Sequence, residues 1–181
     1  MKERKNNMTN KNNNMKKAFV FDFDDTLATT TCKIEVRQTD VYFGDSFLVQ
    51  ELTPSEFNSY ELQEGEWFSF DQFKDIVNPV ALPLVDFAKE LTLEKIHSVF
   101  VLSARPSEAT NPIAEFLRSL NIEVKNVICI GGKPINIAKE KRTVLMSIIE
   151  NHDVVYFYDD DQTNVQEANK LEGLKAKKVE V

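Results

Sequence analysis

The chain has 181 residues, 42% of them hydrophobic, with 29 acidic against 22 basic side chains and a formal net charge of −7. That length is enough for one main domain with a sizeable core and a small appended module, and the acidic balance argues against a protein that coats nucleic acid through a basic surface. No apolar run approaches the roughly 20 residues that span a bilayer, and Cys32 and Cys129 resemble no disulfide framework, so a reducing, cytoplasmic setting without a membrane partner is expected.

Residues 1–16 differ in kind from the rest. They are rich in Asn and Lys, nearly free of apolar side chains, and lack the apolar centre of a signal peptide and the arginines of a transit peptide. They read as a disordered tail, with Met8 and Met15 as alternative starts. The interspersed Asn favour a solvated segment over a nucleic-acid-binding arm. The run Ala18-Phe19-Val20-Phe21 then ends abruptly in Asp22-Phe23-Asp24-Asp25-Thr26-Leu27. A short apolar run that ends in carboxylates reads as a buried parallel strand whose carboxyl end emerges at an active-site edge. Asp22 and Asp24 start on one side of that strand, and two close carboxylates need a cation or a shared proton between them. The plain alternative is an Asp-rich turn, which the flanking apolar residues disfavour.

Residues 28–77 are the hardest stretch to read. Lys33 to Arg37 alternates, Phe47-Leu48-Val49 is apolar, and Phe43-Gly44-Asp45-Ser46 supplies a turn, which together make a β-hairpin pattern. Leu52-Thr53-Pro54-Ser55-Glu56 has the form of a helix start. Phe57, Tyr60, Trp67, Phe68, Phe70 and Phe73 then crowd together, at a density more typical of a small core than of a base-stacking platform.

Beyond Asn78-Pro79, strand and helix patterns alternate. Leu82 to Leu93 reads as a helix, and Ser98 to Leu102 as a strand that stops at Ser103-Ala104-Arg105-Pro106. A Ser there is commonly a helix cap, but its hydroxyl can also donate to a phosphate oxygen, with Arg105 adding charge. Ser107 to Asn121 supplies another helix and Val127 to Ile130 another strand. Val144, Leu145, Ile148 and Ile149 share one helical face. Val154 to Tyr158 ends in Asp159-Asp160-Asp161, and in a parallel sheet both carboxylate sets would meet at one edge. Oxygen-only ligands of this kind suit Mg²⁺, while the cysteines and histidines show no zinc spacing. Asp161 suits the N-cap of a helix over Asn164 to Leu171, and Lys177 to Val181 reads as a last strand. Such alternation gives an α/β fold with a doubly wound parallel sheet.

In this order, Asp22-Phe23-Asp24-Asp25-Thr26-Leu27, Val101-Leu102-Ser103 and Asp159-Asp160 with Asn164 behind resemble motifs one, two and four of the haloacid dehalogenase (HAD) superfamily of aspartate-nucleophile phosphohydrolases. The resemblance covers residues 17–181 as a HAD-like Rossmannoid domain with a small β-rich cap at about residues 28–77, a stretch that carries no family motif of its own. It implies that Asp22 is the nucleophile, that Asp24 protonates the leaving oxygen and then activates water, and that Thr26 orients the loop. It further implies Mg²⁺ held by Asp22, the backbone carbonyl of Asp24, and Asp160 or Asp159, with Ser103 and a motif-three lysine on the phosphoryl oxygens. Lys141 fits that lysine best, at the start of the apolar helix face, with Lys133 and Lys139 as competitors.

The implied activity is a Mg²⁺-dependent phosphatase. A small flap leaves room for a bulky phosphorylated substrate such as a nucleic-acid end, whereas the overall acidity favours a nucleotide or sugar phosphate; the reading leans to nucleotide or polynucleotide phosphate, with no stable nucleic-acid complex. Two rivals are a phospho-receiver domain, disfavoured because a Ser occupies the middle strand's end, and a catalytically silent binding module of the same fold.

Overall fold

The structure is a computed structural model and describes residues 15–40, 42–57, 59–131 and 136–180. In chain order its elements are β1 (Lys17–Phe21), β2 (Ala28–Thr29), β3 (Ile34–Thr39), β4 (Ser46–Leu52), α1 (Pro54–Phe57), β5 (Glu66–Ser69), β6 (Val80–Ala81), α2 (Leu84–Glu94), β7 (Ser98–Ser103), α3 (Thr110–Ser119), β8 (Asn126–Cys129), α4 (Ile137–Ile149), β9 (Val154–Asp159), α5 (Gln162–Ala168) and β10 (Leu174–Lys178), with single 3-10 turns at Asp71–Lys74 and Ser107–Ala109.

Alternation in β1 builds a core on each face of the main sheet. Phe19 and Phe21 point to one side, where Val99 and Val101 join Val85, Ala88, Leu91, Ile113 and Leu117 from α2 and α3. Ala18 and Val20 point to the other, with Leu102, Val155 and Phe157 against Leu145 and Ile148 of α4. A strand buried on both faces is apolar throughout, which is why β1 and β7 read as continuous runs. The sheet is five-stranded and wholly parallel in the order β10-β9-β1-β7-β8.

The insert is β-rich and small. β2 and β6 pair antiparallel at its base, Ala28 against Ala81, and β4-β3-β5 form a separate antiparallel sheet. The hairpin between β3 and β4 closes through Asp40 and Gly44, whose φ of 75° is left-handed, a conformation that glycine adopts without a steric penalty. Ile34, Val36 and Leu52 are buried with Phe57, Tyr60, Phe68 and Phe73 around them. Most of the aromatic cluster is therefore a small core of edge-to-face rings. Trp67 and Phe70 lie at its margin, 40% and 38% exposed.

Several boundaries differ from the sequence reading. The last strand is Leu174–Lys178 rather than Lys177 to Val181. It follows Gly173 and pairs Leu174 with Val155 through to Lys178 with Asp159, so the register of the neighbouring strand, not the terminal valines, sets its span. The preceding helix runs Gln162–Ala168, two residues earlier than expected, because Asp161 caps it by accepting from the backbone N–H of Thr163 at 2.6 Å and of Asn164 at 3.1 Å. At the other end Lys16 is already tied to Asp153, through its own N–H at 2.7 Å. The tail expectation otherwise falls on residues 1–14, outside the described residues, as does Lys133.

Candidate active site

Parallel register brings the two acidic clusters together. Phe21 lies level with Val101 on one side and Tyr158 on the other, so Asp22, just past the end of β1, comes level with Asp159, the last residue of β9, and the Asp22 N–H donates to the Tyr158 carbonyl at 2.9 Å. Ser103 ends β7 at the same edge. Carboxylate oxygens of Asp22, Asp159 and Asp160 all lie within 4.8 Å of one another.

Three negative groups so close need a cation, and Lys141 provides one. Its ammonium donates to Asp22 Oδ1 at 2.5 Å and to Asp159 Oδ2 at 2.7 Å. Burial works against its charge, but Asp22 and Asp159 outweigh that and raise its pKa. Burial pushes the Asp22 carboxyl up, with Lys141 pulling it back and Asp159 and Asp24 adding to the rise. Lys139, the described competitor, is exposed at the cleft rim.

Asp159 and Asp160 have different surroundings. Asp159 is fully buried and also accepts from Asn164 Nδ2, at 3.0 and 3.1 Å, and from the Asp161 N–H at 2.9 Å. These donors occupy both of its oxygens. Asp160 faces the cleft instead, and burial, then Asp159, raise its pKa to about 6. The donor set for a divalent cation is all oxygen, and Asp160 is its least occupied carboxylate, which fits Mg²⁺. A prediction follows for Mg²⁺ titration of thermal stability. Asp160→Ala should raise the half-saturating Mg²⁺ concentration at least about tenfold, whereas Asp161→Ala should leave it unchanged and cost about 1 kcal/mol of stability through the lost cap. Equal titrations would assign the ligand to the wrong aspartate.

The loop after β1 folds tightly on itself. The N–H groups of Leu27 and Ala28 both donate to the Phe23 carbonyl, at 2.9 and 3.0 Å, and Asp25 adopts a left-handed φ of 54°. Thr26 is fully buried within the loop, its hydroxyl without a hydrogen-bond partner among the described residues. Asp24 lies half-buried at the cleft, and Arg105 grips both of its oxygens, Nε to Oδ2 at 2.8 Å and Nη2 to Oδ1 at 2.7 Å. The buried Ser103 Oγ accepts from the Arg105 N–H at 3.2 Å.

An open cleft of about 520 Å³ lies at this sheet edge. Its floor is Asp22, Asp24 and Lys141; its walls include Ala104, Asn136, Thr163 and Glu167, and Pro54 enters from the insert.

A wholly parallel five-stranded sheet, a β-rich insert directly after its first strand and carboxylates at its carboxyl edge also describe a known architecture. The chain is similar to one in the solved structure of the Pnkp1/Rnl/Hen1 RNA repair complex, with a TM-score of 0.56 at 14% identity over 98% of this chain and 47% of that one. The fold is HAD-like. A HAD family enzyme from Bacteroides thetaiotaomicron, solved as a magnesium complex, is similar with a TM-score of 0.46 at 15% identity, over 91% of this chain and 93% of that one. No family model matches the chain, and no curated protein matches it in sequence. The chain spans about half the length of the RNA-repair chain that it resembles.

Within the HAD-like frame, Asp22, Asp24, Ser103, Lys141, Asp159 and Asp160 gather at one sheet edge. Arg105 reaches the same edge, but its side chain is only 1% exposed and turned to Asp24. Sequence reasoning does not find its other partners, Thr30, Cys32 and the Asp75 carbonyl. They belong to the insert, where no motif marks them. Among the described residues no helix is long and apolar enough to cross a membrane.

Proposed function

We propose that the chain is a Mg²⁺-dependent phosphomonoester hydrolase that works through an aspartyl-phosphate on Asp22. One observation carries this reading: a buried carboxylate on a cleft floor, held between Lys141 and the tight loop that presents Asp24 two residues on. A carboxylate fixed in this way by a buried ammonium is aimed as a nucleophile.

Asp22 attacks phosphorus as the bond to the leaving oxygen breaks; Asp24 enters this step protonated, gives its proton to that oxygen and is left as the carboxylate that Arg105 holds. Asp24 then accepts a proton from water, whose oxygen displaces Asp22 and releases inorganic phosphate. Ser103 and Lys141 donate to phosphoryl oxygens, where negative charge accumulates. Asp22, Asp160 and the Asp24 carbonyl would hold Mg²⁺, which when bound offsets the like charge of phosphate and carboxylates.

The insert contributes only Pro54 to the cleft lining among the described residues, so the catalytic edge stays open to a bulky phosphate ester. That openness supports a nucleotide or polynucleotide phosphate as substrate, and the likeness in fold to a chain of an RNA repair complex agrees in direction. The deciding experiment is Mg²⁺-dependent phosphate release from a panel of an aryl phosphate, nucleotides, sugar phosphates and phosphorylated oligonucleotide ends. Release from nucleotides or oligonucleotide ends is expected. Efficient hydrolysis of sugar phosphates alone would overturn the substrate class, and no turnover of any ester would overturn the enzymatic reading in favour of a binding module.

The pH dependence follows from Asp160. With a pKa of about 6 against an ordinary carboxylate value near 3.8, the metal-free folded chain holds a proton in that window that the unfolded chain has released. The contribution of Asp160 to metal-free stability should therefore fall as pH rises from about 4 to about 6. Mg²⁺ displaces that proton, so the thermal stabilisation given by saturating Mg²⁺ should grow over the same interval. A Mg²⁺ effect of equal size at pH 4.5 and pH 7 would contradict the assignment.

A further inference from the structure

The guanidinium of Arg105 joins parts of the chain that are distant in sequence. It holds both oxygens of Asp24, donates to Thr30 Oγ1 at 2.8 Å and to the Asp75 carbonyl, and lies 3.5 Å from Cys32 Sγ through each terminal nitrogen. The Phe73 ring packs against it with its centroid 5.0 Å away, and the Phe23 ring at 5.7 Å. Thr30 and Cys32 begin the insert, and Phe73 and Asp75 stand near its end. The chain thus enters and leaves the insert at one buried cation, whose remaining charge partner is Asp24. Cys32 strengthens the junction by donating to the Gln72 carbonyl at 3.4 Å.

A buried guanidinium needs its donors satisfied and its charge matched, and it makes a strong, directional pair with a carboxylate. Removing any partner leaves the others incompletely paired in a dry environment. The paired Asp24 side chain is still 34% exposed, and a carboxylate has more acceptor positions than two such bonds fill, so Asp24 can face the cleft while it is held.

We infer that Arg105 is a positioning residue that locks the Asp24 carboxylate and the two ends of the insert into one unit, so that docking of the insert and placement of Asp24 are coupled. This rests on the proposed phosphatase chemistry for its catalytic consequence, but the coupling itself is measurable without any turnover. Arg105 touches no substrate in this scheme; it acts through Asp24.

The test has two arms. In the first, Cys32, which is 3% exposed, reports on the junction through its rate of reaction with a small thiol reagent, in a Cys129→Ser background. Asp24→Asn and Arg105→Lys should each raise that rate about tenfold or more, since each removes a charge-assisted bond of the latch, while circular dichroism shows the chain still folded. Unchanged Cys32 labelling in both variants would overturn the coupling. In the second arm, Arg105→Lys is assayed on an alkyl and an aryl phosphate. The aryl leaving group needs little protonation, so misplaced Asp24 should lower the first-turnover rate on the alkyl ester at least about tenfold more than on the aryl ester, with KM little changed. Equal losses on both esters would overturn the positioning role. If the parent protein turns over neither ester while Cys32 labelling rises as expected, the phosphatase reading fails and the structural coupling stands.

Discussion

Asp22→Asn is expected to abolish phosphate release, by at least about four orders of magnitude, while the chain stays folded. The amide keeps the shape of the side chain but cannot form the acyl phosphate. The fold should tolerate the change, because burial, Asp159 and Asp24 all disfavour the Asp22 charge, and Lys141 retains Asp159 as a partner at 2.7 Å. Initial rates with saturating Mg²⁺, alongside a thermal melt of the same sample, measure both parts. Mass spectrometry must show that no Asn has deamidated back to Asp. Residual hydrolysis of more than about one per cent by such a sample would remove Asp22 from the role of nucleophile.

Lys141→Met should have the largest effect on stability. The lysine is buried between two carboxylates and is the cation that both share. Replacing it with an apolar side chain of similar length leaves Asp22 and Asp159 facing each other in a low-dielectric interior. Loss of one partner of a buried pair costs about 3–5 kcal/mol, which for a domain of this size lowers Tm by about 10 °C. Mg²⁺ at millimolar concentration should recover part of the loss, because it replaces one cation by another at the same carboxylates. A Lys139→Met control removes a charge from the exposed rim and should stay within about 0.5 kcal/mol of the parent. If the two variants melt alike, Lys141 is not the cation that holds the site together. Activity should fall as well, since Lys141 also donates to the phosphoryl group in the proposed reaction.

The location of the site is legible in the sequence because a parallel sheet converts a one-dimensional pattern into a shared edge. Ala18 to Phe21 and Val154 to Tyr158 are each apolar runs that end in aspartates, and once they pair in parallel their ends coincide without further information. Helix periodicity likewise marks α2, α3 and α4, and the capping role of Asp161 follows from local chemistry alone. The choice of Lys141 over Lys139 is only partly legible: the apolar face of the helix favours it, but burial between Asp22 and Asp159 is what separates the two. The tertiary structure also divides the labour between Asp159, occupied by Lys141 and Asn164, and Asp160, which faces the cleft. Adjacent aspartates look identical in a sequence because their difference lies in which distant donors reach them. Arg105 shows the same limit most clearly. As a residue beside Ser103 it reads as a phosphate ligand, yet its guanidinium is buried against Asp24, 81 residues away, and against the ends of an insert that carries no motif. Backbone pairing and periodicity are encoded locally and survive in the sequence, whereas the direction in which a long charged side chain turns depends on partners assembled from the whole fold.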